Sequence, residues 1–336
     1  MPPETLVSII TAVHNGARTI GAMLASVDAQ TESRWEHLIV DDGSNDGTAE
    51  EMAKRAAAEQ RIRYIQRVGD RSGANVCRNL GISQSQADLI IFLDSDDLLA
   101  HDSLARRVAV MDRNEDLDFV TFQTGVFQNT PGDLGRQYDH ELIGDDLLRF
   151  LFLECPWQTT APTWRKAALN RIGGFDESLL SWQDVELHIR AIAAGLRYVR
   201  FPEVDHHMRW QNEPTKTSVE QRRSPIHLEA ATEVFEKLER HVREGPGMTW
   251  VRQRALCSLY FFVAQQWVAT RKLSSALRSW EGIRQRGLGS HMLYVSGAVL
   301  LIMLALGFPS PALCNRIVGR WKGWMRLRGN PRPVRA

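Results

Sequence analysis

Three carboxylates fall within four positions in "LIIFLDSDDLLAHDSL" (residues 89–104), where Asp94, Asp96 and Asp97 follow a short apolar run. Two carboxylates ~4 Å apart repel by about 4 kcal/mol at an effective dielectric near 20. A fold that gathers them therefore needs a cation, or a ligand that hydrogen-bonds to one of them. Oxygen ligation at a strand end suits Mg²⁺ or Mn²⁺, which take one or two carboxylates together with substrate phosphates. The plainer alternative is that Asp96 or Asp97 caps the following turn while the others are solvated. A second cluster has the same form. "VDDGSNDGT" (40–48) ends an apolar run in Asp41 and Asp42 and continues into a turn in which Asp46 is placed to cap a helix. A carboxylate at such a point can accept from a ribose hydroxyl or a uracil N–H, so Asp41 and Asp42 are candidates for nucleoside recognition.

The segments that must position these groups alternate in type. Strand patterns at 6–13, 36–42, 61–66, 88–93 and 118–127 are separated by helical patterns at 18–30, 46–60, 72–86 and 103–113. Such alternation predicts an α/β fold with a mostly parallel central sheet covered by helices on both faces. Ligands bind such sheets beyond the carboxyl ends of the strands, where both aspartate clusters lie. From about residue 225 the strand signal fades, and long helical patterns occupy 226–243, 249–270 and 273–286. The expected division is a nucleotide-binding domain over 1–220 and a helical region over 221–336. The chain has 336 residues, and its formal net charge of +1 gives no reason to expect nucleic acid as a partner. Its four cysteines (Cys77, Cys155, Cys257, Cys314) form no CxxC pair and read as separate reduced thiols in a cytosolic setting.

"MPPETLVSIITAVHN" lacks a basic n-region and its apolar run is of strand length, so no secretory signal is expected there. "LYVSGAVLLIMLALGF" (293–308) is nearly continuous apolar sequence of 16 residues, just short of the roughly 17–25 that span a bilayer. Residues 309–336 then carry seven Arg or Lys and no acid. An apolar segment followed by a basic, Trp-containing tail predicts peripheral contact with the cytoplasmic face of a membrane through 290–336; the alternative is a buried helix with a solvated tail.

"VSIITAVHN", "VDDGSNDGT", "GANVCRNLGI" followed by "ADLIIFLDSDD", and "GGFDESLLSWQDVELHIRAIAAG" stand in the order found in family 2 glycosyltransferases, which this sequence resembles over about residues 5–215. The resemblance implies a GT-A fold and inverting transfer from a nucleotide sugar. It implies that Ala12 and His14 line the base pocket, that Asp41 recognises base or ribose with Asp42 close by, and that Arg78 approaches the base or diphosphate. Asp94, with Ser95 beside it, would bind the ribose or a metal-bound water, and Asp96 would hold the metal. Asp184, at the start of an amphipathic helix, would deprotonate the acceptor hydroxyl; its alternative role is helix capping. Glu186, two residues on, faces elsewhere. His206 or His207 would complete the metal shell, with His207 taken as the ligand, and Arg209 is a candidate for the phosphates. Aromatic rings beside amides suit a sugar, so Trp157, Gln158 and Trp164 form a candidate acceptor wall, with Trp182 and Gln183 on the same side; buried core aromatics are the alternative.

These readings converge on a metal-dependent inverting glycosyltransferase. A UDP-sugar is the expected donor, a hydroxyl of a glycan or lipid-linked intermediate the acceptor, and bacterial surface polysaccharide assembly the setting. Sugar-phosphate nucleotidyl transfer would call for a Gly-rich phosphate loop after the first strand, and "AVHNGARTI" has one glycine. A glycan-binding scaffold without turnover is the non-catalytic alternative. Dinucleotide oxidoreduction lacks its G-x-G-x-x-G.

Overall fold

The computed structural model describes residues 5–139, 144–210, 224–307, 310, 313, 316, 317 and 319–321. The chain divides into two compact units, residues 1–144 with 156–213, and 145–155 with 214–336. The segment 145–155, which sequence patterning leaves within the first domain, clusters with the later helices.

In the first unit, β1 (Val7–Val13), β2 (Trp35–Asp41), β3 (Ile62–Gln66) and β4 (Leu89–Phe92) are parallel, in the spatial order β3-β2-β1-β4. β1 is apolar along most of its length because both of its faces are covered. Val7, Ile9 and Val13 pack with Ile20, Met23, Leu24 and Val27 of α1 (Ile20–Asp28), which fall on one helical stripe. Ile10 points the other way, toward α3 (Ala74–Gln84). There Gly81 lets the helix settle onto the strand, since a Cβ at that position would lie 2.4 Å from Ile10 Cγ2. α2 (Thr48–Ala58) and α4 (Ser103–Arg113) complete the alternation.

Beyond β4 the sheet becomes mixed. β8 (Pro162–Arg165) runs antiparallel to β4 and to β6 (Phe119–Phe127), and β9 (Tyr198–Arg209) is parallel to β6. The short β5 (Leu98–Leu99) pairs antiparallel with β9, and β7 (Arg136–Gln137) with β6. The result is an α/β fold of the GT-A type, with α6 (Lys166–Ile172) and α7 (Gln183–Ala193) following β8. Strand β8 corrects the sequence reading of "CPWQTTAPTW". Trp164 is on that strand with no solvent exposure, its ring centroid 4.2 Å from that of Phe119 and tilted by 32°.

The second unit is helical: α5 (Asp146–Leu151), α8 (Pro225–Glu244), α9 (Trp250–Ala269), α10 (Leu273–Gln285) and α11 (His291–Leu306). Ser224, Thr249 and Ser290 cap α8, α9 and α11 by accepting backbone N–H bonds. Phe235, Tyr260, Phe261 and Trp280 form the core, and Gly297 brings α11 so close to α10 that a Cβ would lie 2.3 Å from the Trp280 ring. Among the described residues, no helix is long and apolar enough to cross a membrane.

Candidate active site

The rim of the parallel strands is organised by carboxylates accepting hydrogen bonds from neighbouring loops. Asp41, 2% exposed, closes the end of β2: its Oδ1 accepts from Ser44 N (2.8 Å) and Ser44 Oγ (2.7 Å), and its Oδ2 from Tyr64 Oη (2.7 Å). Burial, and then the bond to Asp41, push the Tyr64 hydroxyl up to about 12, so it remains a donor. Asp42 pairs with Arg67 and accepts from Gly73 N (2.7 Å), which fixes the entry to α3. The β1–α1 turn is tied to the β2–α2 loop by Asn15 N→Ser44 Oγ (2.9 Å), Gly16 N→Thr48 Oγ1 (3.0 Å) and Ala17 N→Asp46 Oδ2 (3.0 Å). His14 is exposed and meets Asp42 O through Nδ1 (3.2 Å); Ala12 is half-buried beside it on β1. A Cβ on Gly16 would stand 3.6 Å from Ser95 Oγ, so this turn lies directly against the loop after β4.

That loop separates its three aspartates by role. Asp94, about a third exposed, accepts from Arg78 (2.7 Å). Asp97 is buried, accepting from Arg209 N (3.1 Å), Thr160 Oγ1 (3.2 Å) and Gln158 Nε2 (3.4 Å). Burial and the charges of Asp94 and Asp96 raise its pKa well above the ordinary carboxylate value. It anchors the loop to β9 from beneath. Asp96 is half-buried, accepts no side-chain hydrogen bond from the described residues, and has its pKa raised by burial and by Asp94. A carboxylate held this way is relieved by a cation.

His207 stands opposite Leu98 on the β5–β9 ladder, two residues beyond Asp96. Its Nδ1 packs on Gly125, where a Cβ would lie 2.4 Å away, and finds no hydrogen-bond partner among the described residues. Burial lowers the ring's pKa, favouring the neutral form that ligates. Among the described residues, no group of three His, Cys, Asp or Glu could hold a metal unaided. Asp96 is the carboxylate that would hold an Mg²⁺ or Mn²⁺ ion here, with His207 on the neighbouring strand as the second candidate and substrate phosphates expected to complete the shell.

His206 is excluded from such a role. It lies within a solvent-free network in which Arg107 donates to both oxygens of Asp205 (2.6 and 2.8 Å), His206 Nδ1 meets Asp205 Oδ1 (2.7 Å) and His206 Nε2 meets Thr124 Oγ1 (2.7 Å). Arg209 is likewise spent on the protein, donating to Asp96 O (3.2 Å) and Gln128 O (3.1 Å) above the Phe127 ring, rather than awaiting phosphates.

On the facing side, Asp184 opens α7. It is half-buried, and its Oδ1 accepts from Val185 N (2.9 Å). Burial raises its pKa; the positive charge of Arg78 opposes the rise and the negative charge of Asp94 adds to it. Those two couplings bring Asp184 into the company of the Arg78–Asp94 pair. Trp182, just before, sits at φ 64°, a conformation uncommon for a bulky residue, with Gln183 half-buried next to it. Glu186 is buried and paired with Arg190 (2.8 Å), and so is committed to structure.

Sequence reasoning missed the device that carries Asp184. Asn75, Arg78 and Asn79 share one face of α3. Asn79 brackets Phe175, donating to its carbonyl (2.8 Å) and accepting from its N–H (2.8 Å). Asn75 donates to the carbonyls of Asp176 (2.9 Å) and Leu179 (3.1 Å). Gly174, at φ 65°, passes Asn79 so closely that a Cβ would stand 2.6 Å from its Oδ1. Asn and Arg on the sheet-facing side of a helix were the available signal.

The acceptor wall expected from Trp157 and Gln158 is overturned by burial. Trp157 is 2% exposed, with Phe119, His188 and Tyr198 within 5.5–6.2 Å between ring centroids, and Gln158 is spent on Asp97 and Thr160 N (2.7 Å).

Comparison with known proteins accords with this geometry. Residues 8–173 match the family described as glycosyl transferase family 2. TuaG of Bacillus subtilis, named as a glycosyltransferase of teichuronic acid biosynthesis, is 32% identical over 153 residues, covering 45% of this chain and 60% of its own length. WfgD of Escherichia coli, a UDP-Glc:α-D-GlcNAc-diphosphoundecaprenol β-1,3-glucosyltransferase, is 32% identical over 125 residues, covering 37% of this chain and 47% of its own length. The chain thus spans less than two thirds of either relative. The structure of S. aureus TarS 1–349 in complex with UDP-GlcNAc superposes with a TM-score of 0.64 over 89% of this chain and 86% of that one; at 16% identity the likeness is one of fold. With its four ordered motifs, its GT-A sheet and the match over residues 8–173, the chain belongs to the family 2 glycosyltransferases.

Proposed function

We propose that the protein is a metal-dependent inverting glycosyltransferase that uses a UDP-sugar and glycosylates a hydroxyl of a glycan or lipid-linked acceptor in bacterial surface polysaccharide synthesis. The reading is supported above all by Asp184, which opens α7 and feels the charges of both Arg78 and Asp94, themselves paired at 2.7 Å. The donor belongs over Ala12, His14, Asp42, Ser95, Asp94 and Asp96. Asp41, closed in by Ser44 and Tyr64, shapes the turn that holds them. A bound divalent ion would offset the charge gathering on the departing nucleoside diphosphate.

Asp184 accepts the proton of the acceptor hydroxyl as the new C–O bond forms at the anomeric carbon and the bond to the diphosphate oxygen breaks on the opposite face. A pKa raised by burial strengthens it as a base. Inversion needs no second carboxylate as nucleophile, and Glu186, the nearest other acid on α7, is held by Arg190. Support for donor and acceptor class comes from the names of the relatives: WfgD is named for UDP-Glc and α-D-GlcNAc-diphosphoundecaprenol, and TuaG for teichuronic acid biosynthesis. The test is a screen of nucleotide sugars for Mn²⁺-dependent UDP release, repeated with Asp184→Asn. The variant is expected to retain nucleotide binding and to lose about 10²-fold or more in transfer; loss of nucleotide affinity with transfer retained would remove Asp184 from its role.

A further inference from the structure

Helix α11 presents an apolar face to solvent. Met292, Val295, Val299, Ile302 and Leu306 are 79, 43, 49, 38 and 73% exposed. At about 100° per residue they fall within roughly a quarter of the helix circumference. The opposite face, with Leu293, Gly297, Leu300 and Leu301, is buried in the helical unit. The exposed stripe is therefore a continuous feature of one side, on a helix with no charged residue other than the ring of His291 at its start.

Basic charge lies close by. The Trp321 indole donates to Ser296 Oγ (3.3 Å), and its ring lies 4.4 Å from Phe261 of α9 and 5.9 Å from Trp280 of α10. That bond pins the chain alongside α11 within two turns of its start. Arg316 and Arg320 are exposed just before Trp321; the further basic residues of the tail, from Lys322 to Arg335, lie outside the described residues. An apolar stripe that carries no carboxylate of its own, with cations in the segment pinned to its helix, is complementary to the headgroup layer of an anionic bilayer. At 16 residues, α11 is about 24 Å long, shorter than the ~30 Å hydrocarbon layer. It suits a helix lying in the interface plane.

We propose that the exposed face of α11, with Arg316 and Arg320 of the segment that Trp321 pins to the helix, docks the protein peripherally on anionic membrane. Association is read without sugar donor or acceptor, so its failure and failure of the transfer reaction are separate results. The experiment is flotation of the full chain with phosphatidylcholine vesicles, with and without admixed phosphatidylglycerol, at low and high salt. Wild-type protein is expected to float with the anionic vesicles and to be released by salt. The triple variant Val295→Ser, Val299→Ser, Ile302→Ser is expected to lose binding about tenfold or more while keeping its far-ultraviolet circular dichroism. Arg316→Gln with Arg320→Gln, which touches no core residue, is expected to weaken binding at low salt. The proposal is overturned if the triple variant floats like wild type, or if binding ignores both phosphatidylglycerol and salt. It is equally overturned if the wild type fails to float and sediments as a dimer that the triple variant dissolves, because the stripe would then serve a second copy of the chain.

Discussion

Replacing Arg107 with Met tests whether the buried network under β9 holds the site in place. Arg107, Asp205 and His206 have no solvent exposure, and the arginine meets both oxygens of the carboxylate. Burial alone would raise the Asp205 pKa. The charge of Arg107 and the bond from His206 overcome it and bring the carboxyl from 3.8 down to about 2. At 1.36 kcal/mol per unit, that shift corresponds to about 2 kcal/mol of stability. The contribution is fully present above the unfolded value and is lost as pH falls through the folded one. In Arg107→Met the opposing charge is gone and burial dominates, so Asp205 becomes an unpaired buried anion; breaking such a pair costs about 3–5 kcal/mol. Hydrogen exchange resolves the first unit from the helical one, which a global denaturation curve would merge. Peptides covering 119–127 and 198–209 are expected to exchange about 10²-fold faster or more in the variant at neutral pH. The gap, corrected for intrinsic rates, should narrow in acid as Asp205 protonates. Adding Asp205→Asn to Arg107→Met should recover part of the protection, because it removes the stranded charge. Unchanged exchange in the single variant, or further loss in the double, would refute the reasoning.

Asp96→Ala is expected to abolish the Mn²⁺ dependence of UDP binding in calorimetric titration. In the wild type, the metal-assisted affinity should weaken as pH falls through the raised Asp96 pKa, since the protonated acid cannot ligate. Asn79→Ala removes three hydrogen bonds, two to Phe175 and one to Glu177 Oε1, worth about 1 kcal/mol each net. It should loosen the segment leading to Asp184, lowering kcat for UDP release about tenfold or more while nucleotide affinity changes much less. Equal losses in both would show that α3 serves the donor instead.

What the sequence made legible and what it hid follow from the kind of interaction each residue makes. Strands β1, β2 and β4 were readable because a parallel strand buried on both faces must be a short apolar run, and such runs ending in acids mark the rim whatever the acids do there. Residue type did not distinguish the acids from one another. Asp41, Asp42 and Asp97 turn out to be saturated by Ser44, Tyr64, Arg67, Gly73, Thr160 and Arg209. Among the described residues Asp96 is left without a side-chain partner, and Asp94 shares its charge with Arg78. Those partners lie up to 112 positions away, so no local window could assign them. Trp157 and Gln158 failed as an acceptor wall for the same reason: a Trp beside an amide suits a sugar or a core equally well, and β8, a four-residue strand begun by Pro162, brings its own stretch inside.

The histidines show the distinction most sharply. His206 and His207 are adjacent and chemically identical, yet the two-residue period of a strand sends their side chains to opposite faces of β9. One becomes the partner of Asp205 and Thr124 in a dry network. The other is set over Gly125, its Nδ1 without a hydrogen-bond partner among the described residues. Once Leu98 is fixed opposite His207, the loop between β4 and β5 carries Asp96 to the same edge. The candidate metal site is therefore a consequence of register. A bulge that slipped β9 by one residue against β5 would bring His206 to the rim, strand Arg107 and Asp205 without their partner, and leave the DSD loop with a carboxylate and no imidazole.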